Sequence, residues 1–166
     1  ITSIKSTMQI TSAMKMVSAA KLKKAQDAIT AMRPYSSKLT ELLQNLSATL
    51  DSDASGAYST QREVSKVLLV VITSNRGLCG GFNANIIKKA KSLIINEYKD
   101  AQTEILSIGK KSSEDFTKNG FNVLSTHDDL YSDLTFENTS EIAQSIMDSF
   151  TDGQYDKVVL LYNQFK

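Results

Sequence analysis

Apolar positions in the first fifty residues recur at helical spacing, with no glycine and a single proline, Pro34. From Ala25 they run Ala25, Ala28, Met32, Tyr35, Leu39, Leu42 and Leu46, in alternating steps of three and four. That is the seam of a coiled coil, which needs a partner along its whole length. Leu22, Ile29, Leu43 and Leu50 lie beside the seam and widen it. Upstream the apolar set is Ile10, Ala13, Met14, Val17 and Ala20, and the five-residue step from Ala20 to Ala25 interrupts the heptad, which locally changes the winding. Pro34 leaves two readings: two helices breaking there, or one kinked helix. Proline inside a helix costs ~3 kcal/mol. A packed partner can offset that cost, and the seam keeps its phase through Met32 and Tyr35, so one kinked helix over residues 1–50 is preferred. At ~1.5 Å per residue it would be about 75 Å long, more than a compact domain can cover.

Beyond residue 50 the pattern changes. Residues 51–65 are polar and small, with no apolar period until their end, and read as a linker. Val67 to Ile72 is a continuous, β-branched apolar run, the pattern of a strand buried on both faces in a parallel sheet. A helix follows over 84–99, with Ile86, Ile87, Ala90, Leu93, Ile94 and Tyr98 on its apolar face. Then come a strand at 104–108, a short helix at 110–119, a strand at 121–124, a loop at 125–138, a helix at 140–150 and another doubly buried strand at 157–162. This alternation predicts an α/β fold: a long coiled-coil-type shaft helix over 1–50, then a Rossmann-like domain with a mostly parallel sheet over 66–166.

Composition narrows the function. The net charge of +1 over 166 residues gives no global case for nucleic acid. Locally, Lys5, Lys15, Lys21, Lys23 and Lys24 all precede the first acid, Asp27, so a basic-helix nucleic-acid binder is a third-ranked reading. Nothing approaches the roughly eighteen consecutive apolar residues of a membrane span. One cysteine, Cys79, excludes an internal disulfide and suits a reducing compartment. The chain opens on Ile rather than Met, which points to processing or to incomplete coverage. Residues 1–24 mimic a transit peptide in being basic and hydroxyl-rich, but they lack arginine and their helical pattern continues unbroken.

The stretch with most chemical potential is Thr73 to Asn83, where Gly77, Gly80 and Gly81 follow a strand and open a helix. Phosphates bind at such turns in α/β folds. Neither the G-x-G-x-x-G spacing nor a Walker lysine is present, so a tight turn with close backbone packing is the better reading. Cys79 could be a nucleophile near a helix N-terminus, yet Asn85 stands where a phosphatase loop needs arginine, and the only histidine, His127, has no sequence link to it. A buried, inert thiol is expected instead. Asp128, Asp129 and Asp133 lack the alternation and terminal glutamate of an EF-hand and read as a solvated acidic loop.

Two segments together carry a resemblance. Ser3-Ile-Lys5, leading to Ile10-Thr-Ser-Ala-Met-Lys-Met-Val-Ser-Ala-Ala-Lys-Leu22, resembles the N-terminal helix of the rotary ATP synthase gamma subunit family. Thr73-Ser-Asn-Arg-Gly-Leu-Cys-Gly-Gly-Phe-Asn83 is similar to the family's second signature, in the right order. The resemblance covers essentially the whole chain, and the wording of the first segment looks bacterial. It implies a non-catalytic central rotor inside a ring of alternating alpha and beta subunits, near an epsilon-type stalk subunit and a membrane rotor ring, with no cofactor, metal or nucleic acid. The implied location is peripheral, on the cytoplasmic face of a bacterial inner membrane, or alternatively on an organellar inner membrane. The implied partner contacts are Met14, Lys15, Lys21, Lys24 and Arg76. Two departures stand out: Asn75 replaces a frequent aspartate, and the family's C-terminal helix, which would fill the seam, has no counterpart here. The alternative from another class is a phosphate- or nucleotide-binding enzyme using the Gly77–Gly81 turn and Cys79.

Overall fold

The computed structural model describes residues 2–49, 56–58 and 62–165. The chain divides into two compact units, Ile1–Ser55 and Gly56–Lys166. Ile1, Leu50 and most of the expected linker lie outside the described residues.

The first unit is one helix, α1 (Thr2–Thr49), which runs through Pro34 without a break. Its many hydroxyls are satisfied within the helix: Thr7, Thr11 and Thr40 each donate to the carbonyl four residues back, at 2.9–3.0 Å. Among its described side chains only Gln26 is half-buried, and the rest are exposed. The seam is therefore unburied, with Leu39, Leu42 and Leu46 still 46%, 48% and 57% exposed.

The second unit is a four-stranded parallel sheet in the order β3-β2-β1-β4, formed by β1 (Lys66–Ile72), β2 (Gln102–Ile108), β3 (Val123–Thr126) and β4 (Lys157–Leu161). The helices are α2 (Phe82–Ser92), α3 (Lys110–Lys118) and α4 (Phe136–Thr151). β1 sits between β2 and β4, which explains its unbroken apolar run. Its side chains alternate between two cores. Val67, Leu69 and Val71 meet Ile86, Ala90 and Phe116, while Leu68 and Val70 join Leu106 and Tyr155, with Ile142 and Ile146 packed on them. Helices on both faces of a parallel sheet make this a doubly wound layer, as the alternation predicts.

Several boundaries differ from expectation, each for a local reason. α2 ends in a π-turn, Leu93–Glu97, whose wider ring closes from the Tyr98 amide to the Leu93 carbonyl at 2.9 Å and brings Tyr98 into the core. β3 lies two residues later than expected. α4 begins at Phe136 because the Thr135 hydroxyl caps it, accepting from the Asn138 amide at 3.2 Å. The expected loop also contains a 3-10 turn at Leu130–Ser132. β4 is not doubly buried: it is an edge strand, α4 covers the centre of that face, and Leu160 remains 59% exposed.

Two anchors set the entry of the chain into β1. Arg62 Nη1 donates to the Phe150 carbonyl at 3.0 Å and to the Tyr155 carbonyl at 3.3 Å, with its guanidinium over the Phe150 ring. A cation on the last turn of α4 also complements the helix dipole. Asp156 receives the Ser65 hydroxyl at 2.8 Å, the Lys66 amide at 2.8 Å and the Ser65 amide at 3.0 Å. These hydrogen bonds, led by the Ser65 hydroxyl, hold the Asp156 carboxyl below its usual value. The folded group is the stronger acid, so its stabilisation is complete above the unfolded-state pKa and fades as the pH falls through the folded one. Asp156→Asn should lower the melting temperature at pH 7 and flatten the loss of stability below about pH 4. Parallel acid-melting curves for the two proteins would contradict this.

Candidate functional site

The turn from β1 into α2 is built by side chains that return to their own backbone. Asn83, only 8% exposed, is its hub. Its Oδ1 accepts the Ser74 amide at 2.9 Å, and its Nδ2 reaches the Ser74 hydroxyl at 2.9 Å, the Arg76 carbonyl at 3.2 Å and Cys79 Sγ at 3.2 Å. The Ser74 hydroxyl donates to the Arg76 carbonyl at 2.6 Å. Arg76 is thus fixed through its backbone while its side chain stays exposed, and among the described residues no carboxylate pairs with it.

Below the turn is a buried hydroxyl cluster. Thr73 Oγ1 lies 2.8 Å from Ser112 Oγ and accepts the Ser112 amide at 3.0 Å, and Ser107 Oγ also touches Ser112 Oγ. The Gly109 carbonyl accepts from Ser112 at 2.9 Å. This cluster ties the end of β1 to the start of α3, as a fully satisfied polar network should. Close backbone approach, expected of the Gly77–Gly81 turn, occurs here instead. A Cβ on Gly109 would lie 2.1 Å from the Thr73 carbonyl oxygen, whereas one on Gly77 or Gly80 would meet nothing within 4 Å and one on Gly81 would meet only the Asn85 side chain, at 2.9 Å. In the turn itself Gly80 supplies a left-handed φ of +58°, and so, less comfortably, does Leu78 at +59°.

Asn75 uses both ends of its amide. Its Nδ2 donates to the Asp128 carbonyl at 2.6 Å while its Oδ1 accepts the Lys110 amide at 2.9 Å. A carboxylate could make only the second bond. Asn75 therefore straps the turn to α3 and to the loop after β3, and makes no ionic contact.

The remaining candidates separate. Cys79 is exposed rather than buried, because the whole of residues 76–82 lies at the surface. Its neighbours are Asn83 Nδ2 and, at 3.9 Å, the Arg76 carbonyl. His127 lies instead near Ser125, at 3.3 Å, in a hollow beside α4 that Cys79 does not line, so the two do not form a dyad. Asp129 and Asp133 are exposed as expected, but Asp128 is half-buried and accepts the Ser113 hydroxyl at 3.1 Å. Met14, Lys15, Lys21 and Lys24 all lie exposed on α1. At about 100° per residue Met14 and Lys21 share a face, with Lys15 and Lys24 on opposite flanks. Sequence reasoning missed Asn83, Ser112 and Gly109, whose partners are set by tertiary contact. Only Asn83, following the glycines in Gly-Gly-Phe-Asn, carried a faint signal as a polar residue on the first turn of an amphipathic helix.

No described helix is long and apolar enough to cross a membrane. The family described as ATP synthase matches the chain over residues 1–166. The whole chain is 61% identical to the ATP synthase gamma chain of Flavobacterium johnsoniae, covering 57% of that protein. It is 57% identical to the gamma chain of Christiangramia forsetii and 46% identical to that of Chlorobium phaeobacteroides, covering 58% of each. The chain thus spans a little over half the length of the curated relatives it matches. With both signature segments in place, one on an unburied long helix and one on the turn of a parallel sheet, the chain belongs to the ATP synthase gamma-chain family.

Proposed function

We propose that this chain is part of the non-catalytic central rotor of an ion-translocating ATP synthase, coupling rotation to conformational change in catalytic subunits of the complex. The observation that carries the reading is the seam of α1, whose large apolar side chains stay exposed over its length. Leu39, Leu42 and Leu46, each still about half exposed, would each gain on the order of 1 kcal/mol on full burial, so a long helical partner is the natural cover. An asymmetric shaft that turns inside a ring presents different faces to its neighbours and shifts their open and closed populations through differential contacts. In this reading alpha and beta subunits surround the shaft and meet Met14, Lys15, Lys21 and Lys24, and Arg76 meets a catalytic-subunit loop. An epsilon-type subunit and a membrane rotor ring lie at its foot, on the cytoplasmic face of the bacterial inner membrane.

The test is assembly. In the full-length protein, Leu39→Glu with Leu46→Glu should prevent copurification with the other subunits and reduce ATP synthesis by their membranes. Gln44→Glu, on the opposite face of the same helix, should leave both near normal. Equal behaviour of the two variants would remove the basis of the shaft reading.

A further inference from the structure

Among the described residues, Leu78 stands out for its backbone. It is one of the described residues with a left-handed backbone, at φ +59°, and the only one among them that is not glycine. A bulky side chain there is strained. Its side chain is also wholly exposed, at 110% of the reference area. A glycine would serve the turn better on both counts, as Gly80 does two residues later at φ +58°. The strain is held in place by the Asn83 bonds to Ser74, Arg76 and Cys79, which fix the chain on either side. Strain and exposure of this kind in one residue are repaid when the side chain is buried by something else.

The surroundings give that partner a chemistry. Leu78 lines one hollow together with the exposed Ala84, the half-buried Ile87 and the lysines Lys88, Lys91, Lys111 and Lys118. Glu114 and Asp115 lie in the same hollow, paired with Lys111 and Lys91, so the four lysines outnumber the carboxylates. An apolar knob beside apolar side chains, in a mixed but basic surround, matches the make-up of a protein interface: a central anchor and a polar surround. An anionic bilayer would face the two carboxylates, and it would find a single apolar anchor where membrane-binding surfaces carry a broad apolar face.

We propose that Leu78 is a preorganised anchor for a protein partner, inserting into an apolar pocket rimmed by acidic side chains, with Asn83 as the residue that positions it. This rests on the reading that the turn bearing Arg76 faces another subunit, and it adds the residue that holds that contact. Because a preorganised anchor loses little freedom on binding, truncating it should act mainly on the dissociation rate.

The experiment uses the full-length protein and the complex of its partner subunits. Leu78→Gly should raise the melting temperature of the free protein, by relieving the backbone, and speed dissociation from the partner complex by roughly tenfold. Leu78→Ala, which keeps the left-handed strain, should speed dissociation about as much without raising the melting temperature. Dissociation of Leu78→Ala at the wild-type rate would overturn the proposal while leaving the rotor reading intact. Failure of the wild-type protein to bind the partner subunits would overturn that reading and this one together. Loss of binding to vesicles containing phosphatidylglycerol, with partner binding unchanged, would assign Leu78 to a membrane and also overturn the proposal.

Discussion

Gly109→Ala should destabilise the α/β unit by at least about 4 kcal/mol, a range reached only through severe strain or a broken buried network. The new Cβ would sit 2.1 Å from the Thr73 carbonyl oxygen, and the backbone there has φ +101°, so no rotamer change can relieve the overlap. Moving the two backbones apart would strain the hydroxyl cluster of Thr73, Ser107 and Ser112 and the Tyr131 hydroxyl, which donates to the same Thr73 carbonyl at 2.9 Å. Gly120→Ala is the control. Its φ is +73°, but nothing lies within 4 Å of the added atom, so only backbone strain of about 1 kcal/mol is expected. Urea unfolding followed by tyrosine fluorescence measures both. If the two variants fall within 1 kcal/mol of each other, the close approach of the strand ends is not what holds this part of the fold.

Arg76→Glu should be far more damaging to coupled ATP synthesis than Cys79→Ala, although the two residues share one turn. The Arg76 side chain is exposed with its backbone pinned by Ser74 and Asn83, so a charge change alters what the turn presents and not how it folds. On the proposed reading Arg76 meets an acidic partner group, and reversing its charge would leave that group unpaired and add repulsion, on the order of 2–5 kcal/mol. Cys79 is exposed, and Cys79→Ala should cost no more than about 0.5 kcal/mol of stability. The assay is synthesis by membranes carrying each variant in an otherwise intact complex. The opposite ranking would favour a catalytic thiol, since a nucleophile has no apolar substitute. It would return the chain to the enzyme reading.

The order of elements was legible because periodicity is a local property. Val67 to Ile72 declared a central strand through its unbroken apolar run, and Ile86, Ala90, Leu93 and Tyr98 declared the inner face of the following helix. The same run at residues 157–162 misled, because an apolar strand at a sheet edge reads like one at its centre and only the strand order separates them. The turn was found but its internal logic was not. Glycines were expected to mark close backbone packing at 77–81, where only Gly81 is crowded and only by the Asn85 side chain, while the glycine pressed against another backbone lies beyond the next strand, at 109. Cys79 was expected inside because free cysteine is commonly buried, and the surface course of residues 76–82 places it outside.

By itself, then, the sequence determined a long helix with an unfilled apolar seam, a parallel α/β layer, and a glycine turn without the spacing of a phosphate loop. Each depends on neighbours within a few turns or one strand, where side-chain period and backbone freedom are written directly into residue order. Tertiary structure alone decided which residues make the turn rigid and what it presents. Thr73 and Ser112 are 39 positions apart, Asn75 and Asp128 are 53, and Ser65 and Asp156 are 91. No local pattern encodes such pairings, because they exist only once the crossover helices have packed the strand ends side by side. Leu78 belongs to the same class: its identity was plain, but its left-handed, fully exposed conformation is imposed by bonds that close only when α2 folds back on β1.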